Sequence, residues 1–395
     1  MNGDNSHAAG KQHASSRQRG SRASVVALVA GAGIAILCLS KLVAGKQVDF
    51  ADAAALGAET TSVLAKVGAF PIHCQDVRDS AQCVAGATHR KARRSALWLG
   101  NSQLHAVNQR QKGESNAAPL LFDALSLRGL DLITMSQPNA NLQEHYVLFE
   151  SMRTQLSVKL LILPVVFDDM REDGLRDEVA AISRDQATAL GLSRTQIGRD
   201  LVSEGKRGSV ADQETAGIAQ TLQERAEKGL NGWLTDHSPL WAARPQMRGD
   251  VLIALYELRN AVFGIKATTK RKVILSRYKK NFGALQATLE SARREGTRMI
   301  VYVAPLRGGV EIPYDPAEYA RFKSEVESLV KQNGAVFAYL EALVPDELWG
   351  TKASTTVSAG SEIDFMHFQA GGHKILAAEL DRLIAGAAPV VERAQ

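Results

Sequence analysis

The sequence predicts an α/β fold, in which a mainly parallel sheet is flanked by helices. Five apolar runs have the length and residue types of buried strands, and they span residues 96–99, 130–135, 160–166, 299–304 and 335–339. Segments with helical spacing lie between and after them, at residues 118–127, 142–156, 285–294, 317–332 and 373–384. This alternation is typical of a parallel sheet, because each parallel strand needs a crossover connection that a helix supplies.

One long stretch, residues 171–280, interrupts the alternation. Its pattern is mostly helical and polar, so we predict a helical insertion after the third strand. Insertions at the functional edge of a sheet often become lids. Trp233 and Trp241 either pack this insertion or contact a ligand together with His237 and Arg244.

The front of the chain has the features of a membrane anchor. Residues 1–22 are polar and rich in Ser, Gly, Gln and Arg, which predicts a disordered cytoplasmic leader. Residues 23–40 carry no charge, and residues 42–44 continue the apolar run beyond Lys41. A membrane helix needs about 20 apolar residues, so we predict a transmembrane signal anchor at 23–45. Basic residues precede it, which predicts a single-pass protein of the bacterial inner membrane with a periplasmic C-terminal domain.

This apolar run has two alternative interpretations besides an anchor. A cleaved signal peptide fits poorly with the long basic leader and with the lack of a small-x-small cleavage motif before Lys41. A buried helix fits poorly with the charged leader that precedes it. We therefore expect the bulk of the chain to lie outside the cytoplasm.

Residues 46–90 are interpreted as a stalk, with a helix predicted by the Ala-rich pattern at 49–67. Cys74 and Cys83 follow that pattern closely spaced, and in an oxidising compartment they would form a disulfide. The alternative is two unrelated thiols. His73 stands beside Cys74, but two or three ligands without a fourth are a weak indication of zinc, so we predict no metal site.

Composition excludes some classes of partner and cofactor. The formal net charge of +5 does not indicate a nucleic-acid partner, because no aromatic-rich RNA- or DNA-binding pattern accompanies it. The basic stretch at 88–94 faces anionic headgroups, an anionic glycan or only solvent. The sequence has no dinucleotide fingerprint, phosphate-binding loop or zinc-helix motif, so we predict no cofactor.

Two motifs far apart in the chain indicate a nucleophile and its base. In Asp364-Phe365-Met366-His367 an acid stands three residues before a histidine, where it can bond the imidazole and set its tautomer. Ser102 follows the first predicted strand at a glycine turn. Functional groups of parallel sheets lie at the carboxyl ends of the strands, and Ser102 is in that position.

In this order the two motifs resemble those of the SGNH (GDSL-like) hydrolase superfamily, over about residues 95–386. There, a strand leads into Gly-Asp-Ser, and a late Asp-x-x-His precedes a glycine-containing helix start. The resemblance implies a catalytic domain at 91–395 in which Ser102 is the nucleophile, His367 the general base and Asp364 the acid that orients the base.

The intermediate motifs depart from the superfamily. After the second strand, where the superfamily has a glycine whose N–H stabilises the oxyanion, this chain has Asn139 and Asn141, either of which would present a donor. After the third strand, Asp168 and Asp169 stand where Gly-x-Asn-Asp is expected. A carboxylate repels an oxyanion unless it is protonated or paired, so these acids either pair with Arg171 or contact an acceptor hydroxyl.

Two further positions complete the predicted substrate-binding set. Asn101 replaces the usual aspartate before the nucleophile, and Arg307 follows the fourth strand, where it would bind an anionic group.

These departures are similar to the branch that includes alginate O-acetyltransferases and the D-alanyl transfer protein of teichoic acid modification. That likeness implies transfer of an acyl group, acetyl first of all, from Ser102 to a hydroxyl of a cell-envelope or secreted polysaccharide. It also implies a membrane-bound O-acyltransferase as partner. Two other functions remain open: a plain extracytoplasmic esterase or lipase, and a non-catalytic protein that keeps the fold to bind a glycan or a partner.

Overall fold

A computed structural model describes residues 59–74, 77–206, 270–353 and 361–386. Its strands, in chain order, are β1 Thr60–Ser62, β2 Lys66–Val67, β3 Phe70–Pro71, β4 His73–Cys74, β5 Ser95–Gly100, β6 Ala106–Asn108, β7 Asp131–Ser136, β8 Val158–Val165, β9 Arg298–Val303, β10 Val336–Tyr339, β11 Trp349–Ala353 and β12 Ser361–Phe368. The α-helices are α1 Val77–His89, α2 Ser102–His105, α3 Ala117–Ser126, α4 Leu142–Gln155, α5 Asp177–Ser183, α6 Gln186–Leu192, α7 Gln196–Lys206, α8 Leu275–Arg294, α9 Pro316–Gln332 and α10 Ala370–Gly386.

Six strands form a central sheet in the order β10-β9-β8-β5-β7-β4, and every neighbouring pair is parallel. The carboxyl ends of these strands therefore meet at one edge of the sheet. The structure confirms the predicted α/β fold with a mainly parallel sheet. Three small antiparallel pairs, β1 with β6, β2 with β3 and β11 with β12, lie outside the central sheet.

Both faces of the sheet are covered by helices, which explains why its strands are apolar on both sides. Successive residues of a strand point to opposite faces, and β5 illustrates this. Leu97 and Leu99 pack in a core cluster with α4, α8 and α9, whereas Ala96 and Trp98 pack in a second cluster with α3 and α10. Burial of these two apolar layers stabilises the sheet.

All five predicted strands occur, each within two residues of the predicted bounds. The helix predicted at 285–294 is the second half of the longer α8, because polar residues of its first turns hide the pattern. The edge strand β4 was missed, since two residues are too few to show alternation.

The helix predicted at 49–67 is wrong for its described part. Residues 60–62 form β1 and residues 66–67 form β2. β1 pairs with β6, with Thr60 opposite Asn108, so long-range strand pairing overrides local propensity. Residues 49–58 lie outside the described residues.

Part of the predicted insertion lies within the described chain. Residues 177–206 form α5, α6 and α7, and the last residues up to 280 form the start of α8, which packs on α4. Trp233, His237, Trp241 and Arg244 lie outside the described residues, as do the predicted leader at 1–22 and anchor at 23–45. None of the helices in the described ranges is long and apolar enough to span a bilayer.

A disulfide links Cys74 of β4 to Cys83 of α1, with 6.4 Å between the two Cα atoms. It fastens the edge strand of the central sheet to the helix that follows it. These are the two cysteines for which the sequence predicted a disulfide, with two unrelated thiols as the alternative.

Candidate active site

Ser102 lies at the carboxyl end of β5, in the middle of the sheet. Gly100 ends this strand, and a Cβ there would lie 3.1 Å from the side chain of Leu104, so a larger residue would push the next turn away. Asn101 then caps α2, because its Oδ1 accepts a hydrogen bond from the backbone N–H of Gln103 at 3.1 Å. The strand, the tight glycine and the cap together set the position of Ser102 as the first residue of α2.

Asp364 and His367 lie in an irregular part of β12. Thr351 pairs with Ile363 but Trp349 pairs with Phe368, so residues 364–367 bulge out of the ladder. Such bulges re-aim side chains near functional sites. Oδ1 of Asp364 accepts hydrogen bonds from the backbone N–H groups of Met366 at 2.9 Å and His367 at 3.0 Å, which closes the predicted turn.

The bulge brings three side chains into line. Oγ of Ser102 lies 2.9 Å from Nε2 of His367, and Nδ1 of His367 lies 2.9 Å from Oδ2 of Asp364. When the Nδ1 proton is donated to the carboxylate, Nε2 is the free acceptor for the serine proton. The predicted nucleophile, base and acid are therefore in hydrogen-bond contact, in the order that triad chemistry needs.

The charge of Asp364 is held by its neighbours. Burial by itself raises the pKa of this carboxyl, but the charge and hydrogen bond of His367, with the backbone N–H groups of Met366 and His367, lower it to about 2. An ionised Asp364 is therefore available to stabilise an imidazolium at any ordinary pH.

A pocket of about 140 Å³ opens beside the triad at the carboxyl edge of the sheet. Its lining is mostly polar and comprises Asn101, Ser102, Asn139, Val166, Asp168, Asp169, Glu172, Arg271, Asp364, Phe365, Met366 and His367. The nucleophile and its base thus share a small polar cavity, with room for a reacting group next to Ser102.

Asn139 takes the place of the expected glycine after β7. Its φ of 55° lies in the left-handed region, which glycine and asparagine adopt most readily, and it lines the pocket. Asn141, the alternative, does not line it, which corrects that prediction. Its side chain caps α4 by accepting from the N–H of Glu144 and donates to the carbonyl of Gly174, so it has a structural role.

Asp169 is buried and lines the pocket beside Asn101. It accepts a hydrogen bond from the N–H of Val166 at 2.9 Å, and Nδ2 of Asn101 lies 3.5 Å from its Oδ1. Burial raises the pKa of Asp169 well above its usual value, although these hydrogen bonds oppose the shift. Protonation of this carboxyl, which burial favours, would remove the repulsion that a carboxylate exerts on an oxyanion. Among the described residues Arg171 pairs with Asp168 and not with Asp169, which leaves contact with an acceptor hydroxyl as the predicted alternative for Asp169.

Asp168 is the paired acid of the two. Its carboxylate contacts Arg171 at 3.4 Å, accepts from the hydroxyl of Tyr314 at 3.1 Å, and forms a close ion pair with Arg271. Three donors therefore offset its negative charge at the pocket wall.

Arg307 does not line the pocket, which corrects the prediction that it binds an anionic group there. Its Nη1 donates to the carbonyl of Gly350 at 2.8 Å, opposite the bulge of β12. Arg271 is instead the one cation among the described residues that line the pocket. Its guanidinium lies 5.8 Å from the ring centre of Phe365. In the sequence Phe365 stands between Asp364 and His367.

Buried histidines lie beneath the site without entering the triad. Nδ1 of His105 lies 2.5 Å from Oγ of Ser136, which lies 2.9 Å from Nε2 of His73. Burial lowers the pKa of His73 to about 3, and burial together with the neighbouring histidines holds the pKa of His105 well below its usual value. Nε2 of His373 bonds the carbonyl of Ala106 at 3.0 Å. No group of three possible metal ligands occurs in the described part of the chain.

Comparisons with known proteins add little to this geometry. No family model matches the chain, and no curated protein matches it. A putative acylhydrolase from Bacteroides fragilis is 12% identical, with a TM-score of 0.33, covering 74% of this chain and 86% of its own. A GDSL-like lipase from Bacteroides thetaiotaomicron is 12% identical, with a TM-score of 0.36 and coverage of 79% and 98%.

An acetylxylan esterase from Geobacillus stearothermophilus is similar at 10% identity, with a TM-score of 0.36 and coverage of 73% and 93%. These likenesses are too weak to assign a family or an activity.

Proposed function

We propose that this chain is an SGNH-type serine enzyme that handles a small acyl group through an acyl-Ser102 intermediate. The observation that carries the proposal is the contact of Ser102 with His367 and of His367 with Asp364, at the mouth of a pocket on the carboxyl edge of the sheet. A serine is a poor nucleophile alone, and this arrangement supplies the base and the acid that activate it.

The chemistry follows from the positions of the protons. Nε2 of His367 takes the proton of Ser102 as Oγ bonds to the acyl carbon, and the imidazolium then gives that proton to the leaving oxygen as the carbon–oxygen bond breaks. An acceptor hydroxyl next loses its proton to Nε2 and attacks the acyl carbon. Collapse of this second intermediate breaks the bond to Oγ, and Ser102 regains the proton.

The tetrahedral intermediates need donors around their oxyanion. In our proposal these are the backbone N–H of Ser102, a donor of Asn139 and the charge of Arg271. Asp168 stands where the superfamily has an asparagine, and its ion pair with Arg271 makes this wall of the pocket less repulsive. The raised pKa of Asp169 favours a neutral carboxyl, which also makes the pocket less repulsive to an oxyanion.

Acetyl is the acyl group that we propose, because a pocket of about 140 Å³ with mostly polar lining does not suit a long apolar chain. We propose a hydroxyl of a cell-envelope or secreted polysaccharide as acceptor, with a membrane-bound O-acyltransferase as the source of acyl groups. The disulfide between Cys74 and Cys83 supports an extracytoplasmic domain, since such bonds persist in oxidising compartments. The apolar run at 23–45 would anchor this domain to the inner membrane.

A direct test is mass spectrometry of the full chain after reaction with p-nitrophenyl acetate. We expect an acetyl adduct on the peptide that contains Ser102, lost in Ser102→Ala and retained in Ser193→Ala, an exposed serine of the insertion. Equal turnover by the wild type and Ser102→Ala would reject the proposal. Release of the acetyl group that quickens with added polysaccharide favours transfer, whereas release to water alone favours a plain esterase.

One observation favours a non-catalytic glycan-binding protein as second candidate. Asp168 occupies the position of the superfamily's oxyanion asparagine and cannot donate a hydrogen bond when ionised. Polysaccharide binding by a Ser102→Ala/His367→Ala variant, with no adduct on the wild type, would support this candidate.

A further inference from the structure

We propose that Asn108 is a positioning residue for the catalytic acid, an inference that rests on the function proposed above. Asn108 ends β6 and is fully buried. Its Nδ2 donates a hydrogen bond of 3.2 Å to Oδ2 of Asp364. The same carboxylate oxygen accepts the Nδ1–H of His367 at 2.9 Å, so Asn108 acts on the triad through Asp364 and touches no reacting atom.

The orientation of the Asn108 amide follows from its surroundings. Nδ2 also faces the hydroxyl oxygen of Thr60 at 3.2 Å and the carbonyl of Thr351 at 3.0 Å. A flipped amide would turn its oxygen towards a carboxylate and a carbonyl, which repel it. On the other side, a Cβ added to Gly350 would lie 1.9 Å from Oδ1 of Asn108, so this amide fits only against a glycine.

Asn108 is distinctive among the donors to Asp364. In the described part of the chain four hydrogen bonds reach this carboxylate, and three of them come from the neighbouring Met366 and His367. Asn108 alone comes from another segment. That segment, β6, follows directly after the helix that begins with Ser102.

This placement gives Asn108 a task that the local donors cannot perform. The backbone bonds hold Asp364 relative to His367, but they do not hold the bulge relative to the nucleophile. A buried hydrogen bond from β6 to Oδ2 ties the segment of the acid to the segment of Ser102. Small displacements of reacting groups cost rate steeply, so this tie should influence turnover more than substrate binding.

The hydrogen bonds around Asn108 extend to the first described strand, β1. Thr60 lies in β1, opposite Asn108 in the antiparallel ladder, and its hydroxyl shares the Nδ2 donor. Oε2 of Glu59, one residue earlier, accepts from the hydroxyl of Thr351 at 2.6 Å. The segment before the central sheet thus holds Asn108 and the partner strand of the bulge in place.

The test compares Asn108→Ala and Asn108→Asp with a matched control, Asn116→Ala, in the full chain. Asn116 is also a buried asparagine that bonds the β1 segment, since its Nδ2 donates to the carbonyl of Val63 at 2.6 Å, but it has no contact with Asp364. Turnover of p-nitrophenyl acetate is measured per folded molecule. A proton spectrum is recorded for the low-field Nδ1–H resonance of His367, which reports its bond to Asp364.

We expect Asn108→Ala to lower kcat about tenfold with little change in KM, as loss of one hydrogen bond to a charged group predicts. Asn108→Asp should not restore wild-type kcat, because two buried carboxyl groups in contact cannot both be ionised and would share one proton, which weakens the charge that Asp364 offers to His367. The low-field resonance should move in both Asn108 variants and stay in place in Asn116→Ala.

Wild-type kcat and an unmoved resonance in Asn108→Ala would overturn the inference. So would equal losses of kcat in Asn108→Ala and Asn116→Ala, since the effect would then be one of general stability. Failure of the proposed function looks different: the wild type itself would form no acetyl-Ser102, while the resonance would still show whether Asn108 bonds Asp364.

Discussion

Ser102 and His367 are 265 residues apart in the chain, and their Oγ and Nε2 atoms lie 2.9 Å apart in the structure. The parallel sheet brings the end of β5 to the edge where the bulge of β12 lies, so the two segments meet through tertiary structure alone. Function at this site therefore depends on how firmly the bulge is held as well as on the identity of the triad.

Replacing Asp364 by Asn should remove most of the activity without unfolding the chain. The amide keeps the shape of the carboxylate, but it cannot stabilise an imidazolium and favours the wrong tautomer of His367. We expect kcat for p-nitrophenyl acetate to fall by about three to four orders of magnitude. Asp123→Asn, an exposed carboxylate of α3, is the matched control. Near wild-type activity in Asp364→Asn would show that His367 is not assisted by this acid.

Asp169→Asn should stabilise the fold at neutral pH. The folded pKa of Asp169 is raised above its usual value of 3.8 by burial, so folding favours the protonated acid. The contribution of Asp169 to the free energy of unfolding is fully present below pH about 4, where this acid is protonated in the unfolded state as well. That contribution is lost as pH rises through the folded pKa. An amide never ionises and avoids this loss, although it gives up the weak 3.5 Å contact with Asn101.

The measurement is thermal unfolding of the wild type and of Asp169→Asn across pH 3 to 8, roughly the range over which normal and perturbed carboxyl groups titrate. It shows whether Asp169 stabilises the fold at low or at high pH. The variant should have the higher Tm at neutral pH, and the difference should shrink as pH falls towards about 4 and stay small below that pH. A difference that grows on acidification would mean that Asp169 is ionised in the folded state.

The strands and the contact of Asp364 with His367 were predictable because their signals are local. The central strands are continuous apolar runs buried on both faces, and a spacing of three residues suffices to put Asp364 against His367. The bulge itself was not predictable, since it depends on the register of β12 against β11. The spacing in the sequence predicts the contact of Asp364 with His367, whereas the pairing of β12 with β11 determines where these two side chains lie in the fold.

Other parts of the site left no local signal. Asn108 follows Val107 in a three-residue strand with no motif around it, and its role exists only because Gly350 and Asp364 approach from the other end of the chain. Arg271 lies in a run of Lys270-Arg271-Lys272 that is typical of a solvated loop. Arg307 had the better sequence position, after a strand, but its guanidinium is engaged by the carbonyl of Gly350.

Removal of the disulfide should lower stability. On the chain-entropy model a loop of nine-residue separation contributes roughly 2.5–3 kcal/mol to the free energy of unfolding. We expect a Cys74→Ala/Cys83→Ala variant to lose about that much in denaturant unfolding. Reductant should destabilise the wild type similarly and leave the double variant, which keeps Cys38, unchanged. Equal stability of the wild type and the double variant would contradict the model.

Arg271→Gln should slow acylation far more than Arg171→Gln, although both arginines contact Asp168. Of these two arginines only Arg271 lines the pocket with Ser102, so only its loss removes a positive charge from the pocket in which we propose that the oxyanion forms. Loss of one oxyanion donor costs about 10²–10³ in kcat, and we expect a fall towards that range. Arg171 bonds the carbonyl of Lys272 on its other side, and its loss should cost only a few-fold.

The substrate for this comparison should be neutral p-nitrophenyl acetate, because an anionic ester would also report simple charge attraction. With the neutral ester, a large fall in kcat at nearly constant KM places Arg271 at the transition state. Similar losses in the two variants would mean that both arginines act only by neutralising Asp168. An effect on anionic esters alone would make Arg271 a substrate-binding residue, and the oxyanion would then rely on Asn139 and the N–H of Ser102.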